Sequence, residues 1–188
     1  MKYHRILLKL SGEALSGDKG FGFDEATVRQ VAGQVKEAHA QGTQIGIVIG
    51  AGNFWRGRSS QEMDRVKADQ IGMLATVMNC LYASEIFRGE GMDTSIYAPY
   101  PVGLYTENFN KDKVNRDLAE GKVVFYAGGT GHPYFSTDMA IALRAVETDC
   151  DVMLMAKSVD GVYDDDPRKN PQAKRYDELT YQEILEKN

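Results

Sequence analysis

The chain has 188 residues, 43% hydrophobic and 26% charged, with 22 Lys and Arg against 27 Asp and Glu for a net charge of −5. This is the balance of a soluble globular protein able to bury one sizeable core. It offers no basic surface for a nucleic acid polymer. No apolar run reaches the roughly 18 residues of a membrane span and no leader precedes the first apolar run, so a cytoplasmic location with no membrane partner is expected. Cys80 and Cys150 stand far apart in unrelated contexts and predict two buried free thiols. Glycine, at 19 residues, exceeds its usual share.

In chain order, short apolar runs predict strands over 6–10, 44–49, 94–98, 122–127 and 151–156. Their near-continuous hydrophobicity suits strands buried on both faces of a parallel sheet. Val28, Val31, Ala32, Val35 and Ala38 follow helical spacing between an N-capping Asp24 and a terminating Gly42. A second helix is predicted over 67–87, with Ile71, Leu74, Met78 and Leu81 on one side. A third runs from Ser136 or Thr137 to about Glu147. The polar, turn-rich segment 163–176 reads as a loop, followed by a last short helix over 180–187. Alternating strands and helices predict βαβ crossovers and a three-layer α/β sandwich with a mainly parallel central sheet. No internal linker divides the chain, so one domain over 1–188 is expected.

Three predicted strands run directly into glycine-rich turns: Ser11-Gly12, Gly50-Ala51-Gly52-Asn53 and Gly128-Gly129-Thr130-Gly131. In an open parallel sheet, ligands bind beyond the carboxyl ends of the strands. Turns without Cβ atoms bring backbone N–H groups close to a guest, and helix N-termini after them add positive potential, so phosphate is the expected ligand. Glycine also serves connection geometry alone, and one such turn would not decide the matter. A Walker A loop is absent, because the Gly121-Lys122 pair is followed by Val123. A dinucleotide fingerprint begins at Gly50 and Gly52 but meets Trp55 where its third glycine belongs; Asp69, at the spacing of a ribose-binding acid, keeps an oxidoreductase as an alternative.

Lys9-Leu10-Ser11-Gly12-Glu13-Ala14-Leu15, Gly50-Ala51-Gly52-Asn53-Phe54-Trp55-Arg56-Gly57, Gly72-Met73-Leu74-Ala75-Thr76-Val77-Met78-Asn79, Gly128-Gly129-Thr130-Gly131-His132-Pro133-Tyr134-Phe135-Ser136-Thr137-Asp138 and Val159-Asp160-Gly161-Val162-Tyr163 occur in this order. Together they closely resemble the bacterial uridylate (UMP) kinases of the amino-acid kinase superfamily. The resemblance implies the amino-acid kinase fold and transfer of the γ-phosphoryl group of MgATP to UMP, within pyrimidine nucleotide (UTP and CTP) biosynthesis. It implies Mg2+ carried by ATP, with no metal ligand from the protein. Phosphoryl transfer needs positioned anions and charge compensation rather than a covalent intermediate, so no Ser/His/Asp set is required.

The resemblance implies Lys9 and Asp138 as catalytic residues, Lys9 reaching the transferring phosphoryl group and Asp138 orienting it. It places ATP at Lys9, Leu10, Ser11, Gly12, Gly52, Arg56, Lys157, Tyr163 and Asp166. It places UMP at Ala51, Arg56, Asp69, Thr130, Gly131, His132, Pro133, Tyr134, Phe135, Ser136 and Thr137. Read without the family, Asp138 is a first-turn helix acid, and Tyr134 and Phe135 are core aromatics. Gly17, Asp18, Lys19, Gly20, Phe21 and Gly22 match a segment that receives GTP as activator; UTP is the implied inhibitor and a homohexamer the implied assembly. The UMP-binding part spans about 1–150 and the start of the ATP-binding part about 151–188.

Two departures stand out. Ala51 replaces the middle glycine of the family's turn, and its methyl fits only where φ stays negative. The chain stops at Asn188, where the family continues with the rest of the nucleotide half, so the C-terminal part is expected to be missing and the ATP side incompletely walled. These departures motivate an alternative, a non-catalytic UMP- or UTP-binding regulatory relative.

Overall fold

The computed structural model describes residues 2–55, 63–156 and 159–186. The chain forms two compact units, Met1–Ala156 and Lys157–Asn188.

The first unit is built on β1 (Arg5–Leu10), α1 (Glu25–Ala40), β2 (Gln44–Ile49), α2 (Arg65–Gly89), β3 (Thr94–Ala98), β4 (Glu107–Asn108), α3 (Lys111–Ala119), β5 (Val123–Tyr126), α4 (Thr137–Glu147) and β6 (Val152–Met155). The strands form one sheet in the order β4-β3-β5-β2-β1-β6, with every pairing parallel. This is not the 3-2-1-4-5-6 order of a Rossmann dinucleotide fold.

Alternation along each strand sorts side chains into two cores. Leu10, Ile45, Ile47, Ile49, Ile96 and Phe125 face one side, where α1 and α2 cover them. Leu7, Val48, Tyr97, Val124 and Tyr126 face the other, covered by α3 and α4. The result is the three-layer αβα sandwich expected from the sequence. Gly46 sits on the second face, where an added Cβ would lie 2.7 Å from Leu7 Cδ1 and 2.8 Å from Tyr126 Cε2.

The helical connections after β1 and β2 cross the α1/α2 face in one direction; those after β4 and β5 cross the opposite face in the reverse direction. All four crossovers thus share one hand, as the right-handed βαβ rule requires. The outgoing chain changes face between β2 and β5. A crevice opens at such a switch point, beyond the carboxyl ends of the strands.

Two elements of this unit escape the sequence pattern. β4 is a two-residue exposed strand. In α3 only Val114, Asp117 and Leu118 are buried, too few apolar positions for a period to show; its signal is the N-cap, Asn110, which accepts the Lys113 N–H. Of the expected apolar stripe on α2, Ile71, Leu74 and Met78 are exposed, and Leu81 packs partly buried against the core. The buried face instead carries small or polar residues, among them Ala68, Ala75, Thr76, Asn79, Cys80 and Ala83, which lets the helix lie close to the sheet. Cys80 is buried, and Cys150 is only partly so.

The second unit holds β7 (Val162–Tyr163), β8 (Arg175–Tyr176) and α5 (Tyr181–Glu186). The segment expected as a loop is therefore closed by an antiparallel pair, with Val162 opposite Tyr176 and Tyr163 opposite Arg175. Strands of two residues carry no readable alternation. Arg175 also pairs with Asp160 at 2.9 Å, and none of the unit's described residues is buried.

Candidate active site

At the switch point lies a cavity of about 440 Å³, within the range of small-ligand sites. All three glycine turns reach it, through Ser11 and Gly12 after β1, Gly50, Ala51 and Gly52 after β2, and Gly129 and Thr130 after β5. The N-terminus of α4 contributes Ser136, Thr137 and Asp138, and α2 supplies a side wall.

Lys9 explains itself by register. Leu7 and Lys9 share the α3/α4 face of β1, and at the carboxyl end that face meets the first turn of α4. Lys9 Nζ pairs there with Asp138 Oδ1 at 2.9 Å. The lysine is buried while Asp138 is half-exposed, so a cation is held at the cavity wall by an acid that solvent still reaches. Ser136 caps α4 by accepting the Met139 N–H, and the helix's open N–H groups add positive potential on the same side.

The first two turns touch through backbone. A Cβ at Gly12 would fall 2.5 Å from both Gly50 O and Asn53 Oδ1 and 2.6 Å from Gly52 N. Only glycine permits this approach. Ala51 is not among the described residues with positive φ, so its methyl brings no backbone strain.

Asp69 is largely buried at the cavity edge, and its Oδ2 accepts the Arg65 Nε–H at 2.8 Å and the Tyr134 N–H at 2.7 Å. Tyr134 has φ +70, and its exposed ring lies under the Arg65 guanidinium at 5.2 Å. Phe135 and His132 line the cavity. Tyr134 and Phe135 are exposed, not core. Gly131 and Tyr134 stand just outside the cavity: Gly131 packs on Pro99, where its Cβ would approach within 2.9 Å, and Pro133, next to it in the loop, is not part of the lining.

Other expected positions fall elsewhere. Leu10 points its side chain into the α1/α2 core, leaving its carbonyl to accept the Gly50 N–H at 3.0 Å. Arg56 and Lys157 lie outside the described residues. In the second unit, Tyr163 Oη donates to Asp160 Oδ1 at 2.6 Å, a bond that raises the phenol's pKa and lowers the carboxylate's. Asp166 Oδ1 accepts the Arg168 N–H at 3.0 Å.

Within the segment 17–22, Gly17–Lys19 form a short 3-10 turn, and Gly17, Gly20 and Gly22 all have positive φ. Lys19 pairs with Asp24 at 3.1 Å, and the segment is tied to the turn after β2 by the Gly22 N–H to Asn53 O at 3.1 Å and Asn53 Nδ2–H to Gly22 O at 2.9 Å. Asp18 belongs to the 3-10 turn, and Phe21 is exposed with its ring edge-on to Phe54.

Several lining residues are additional to the expected set: Glu13, Trp55, Arg65, Met73 and Thr76. Arg65 had a readable signal in its i, i+4 spacing to Asp69. Trp55 donates its indole N–H to Ala68 O at 2.8 Å, which fastens the chain after β2 to α2. Among the described residues no three His, Cys, Asp or Glu side chains gather as a metal site, and no helix is long and apolar enough to cross a membrane.

The amino acid kinase family matches residues 4–188. Among solved structures, UMP kinase from Bacillus anthracis superposes with a TM-score of 0.94 at 33% identity, over 98% of this chain and 78% of that one. UMP kinase from Ureaplasma parvum gives 0.92 at 33% identity, over 100% of this chain and 80% of the other. The chain belongs to the amino acid kinase family and is built like these bacterial UMP kinases.

Proposed function

We propose that the protein is a UMP kinase, transferring the γ-phosphoryl group of MgATP to the α-phosphate of UMP to give UDP and ADP. The observation that carries this reading is the Lys9–Asp138 pair at the wall of a cavity ringed by three glycine turns, in a chain whose structural neighbours are UMP kinases. The acceptor is an anion already nucleophilic at neutral pH, so the protein's task is to hold two phosphate chains in line and offset their charge. Lys9 supplies a cation to the transferring group, and Asp138 fixes its direction. The turns after β1 and β2 would cradle phosphate, and Mg2+ would arrive with ATP. Thr130, His132 and Phe135 would enclose the uracil, and Asp69 would serve the ribose. The GTP, UTP and hexamer expectations remain part of this proposal, and the exposed Ile71, Leu74 and Met78 stripe of α2 favours self-association.

A coupled ADP-release assay with MgATP and each of the four common nucleoside monophosphates tests the reading. ADP release that depends on UMP and is weak with the other three is expected. Absence of UMP-dependent release from folded protein overturns it, and UMP binding by calorimetry without turnover would identify the non-catalytic alternative.

A further inference from the structure

Among the described residues, no hydrogen bond joins the two glycine turns that flank the switch point to each other. Each is fastened to α2. Thr76 Oγ1 accepts the Gly128 N–H at 2.8 Å and donates to Met73 O at 2.7 Å. One helical turn on, Asn79 Nδ2 donates to Gly50 O at 2.7 Å and to Asn53 Oδ1 at 2.8 Å, while its Oδ1 accepts from Asn53 Nδ2 at 3.0 Å. Asn79 is fully buried and Asn53 is 1% exposed. Positions 76 and 79 lie on one face of the helix, and they are polar within a buried stripe of Ala75, Val77, Cys80 and Ala83.

Packing alone does not call for these side chains, because alanine or valine would fill a buried helix face without desolvating an amide and a hydroxyl. What they provide is direction. Gly128 has φ +75, and its N–H, buried and turned toward α2, has Thr76 as acceptor. Gly50 O, the carbonyl against which Gly12 packs, has Asn79 as donor. The rigid helix thus sets the distance between the turn after β2 and the turn after β5.

We propose that Thr76 and Asn79 are positioning residues that fix the spacing of these two turns and so the place of the acceptor nucleotide's phosphate. The identity of that acceptor rests on the UMP reading above; the clamp itself does not. Thr76 holds only the turn after β5, whereas Asn79 holds the turn that also abuts Gly12 on the other side. The two residues should therefore differ in effect.

Thr76→Val removes the hydroxyl at nearly constant volume, and Thr76→Ser keeps it. Asn79→Asp replaces a donor by an oxygen facing Gly50 O and Asn53 Oδ1; Asn79→Ser is the milder variant should the first fail to fold. Below the melting transition, Thr76→Val should lower kcat/KM for UMP about ten-fold or more with the KM for ATP little changed, since a misplacement of about 1 Å can cost up to about 10²-fold in rate. Thr76→Ser should restore it. Asn79→Asp, or Asn79→Ser, should raise the UMP KM and lower kcat as well. In parallel, amide hydrogen exchange should quicken at Gly128 in Thr76→Val and, in the Asn79 variants, at Phe54, whose N–H closes the turn after β2 on Ala51 O at 2.9 Å. A lower Tm with unchanged kcat/KM for UMP and unchanged exchange overturns the proposal. If the unaltered protein shows no UMP turnover, the functional reading falls, and the exchange measurement alone decides the clamp: quickened exchange upholds it and unchanged exchange overturns it.

Discussion

Lys9 is placed by arithmetic that begins two residues earlier. Leu7 belongs to the α3/α4 core, so the residue two further on shares its face, one residue before the strand ends at Leu10. A buried lysine needs a partner, and Asp138 supplies one at 2.9 Å. Lys9→Met keeps the stem and removes the charge. It is expected to lower kcat about 10²- to 10³-fold, the loss typical of removing one preorganised electrostatic contact. UMP affinity by calorimetry and Tm should change little; a kcat within a few-fold of the unaltered protein would argue against Lys9 as the cation for the transferring group. Asp69 shows a second residue-scale lesson. Its spacing in the sequence suits a ribose acceptor, yet its Oδ2 is engaged by Arg65 and by the Tyr134 N–H, so it also anchors the loop that carries Phe135.

At the scale of elements, helix ends were readable where a capping side chain stands before a periodic run. Asp24 is the clearest case. It accepts the Thr27 N–H at 2.9 Å, and that bond, followed by those from Lys19 and the Thr27 hydroxyl, brings its pKa from 3.8 to about 2. A carboxylate depressed in the folded state stabilises fully above its unfolded pKa, near pH 4, and loses that contribution as pH falls toward 2. Asp24→Asn keeps the cap acceptor but does not titrate. Between pH 5 and pH 2.5 its Tm should therefore fall less than that of the unaltered protein, as followed by circular dichroism; equal falls would remove the linkage. The long strands were equally legible, since burial on both faces leaves unbroken apolar runs. β4, α3 and the β7/β8 pair were not, because two-residue strands have no period and α3 buries only three side chains. The stripe on α2 was legible as a stripe only: periodicity shows that one face is apolar, but not whether this face is turned inward. Thr76 and Asn79, the polar interruptions of that helix, marked its buried side.

Across the whole molecule, burial is uneven. Both hydrophobic cores belong to Met1–Ala156, while the described residues of the second unit hold together by turns, ion pairs and one short antiparallel pair. Local opening follows the lack of buried apolar contact. Trypsin under native conditions should cut first near Arg168, Lys169 and Lys174, leaving a persistent fragment that retains β1 through β6, as mass spectrometry would show. Early cleavage within α1 or α2 would contradict this order.

The contact of Gly12 with Gly50 and Asn53 carries a thermodynamic meaning of its own. Two turns meeting backbone to backbone, with no room for a methyl group between them, cannot adjust independently. On the proposed function one turn belongs to the phosphate donor and the other to the acceptor. Any free energy that the first nucleotide spends on setting this joint is then saved by the second. Such linkage is reciprocal: whatever factor ATP imposes on the dissociation constant of UMP, UMP must impose on that of ATP. Synergy between the two substrates would thus originate in a place where the chain has no side chain at all.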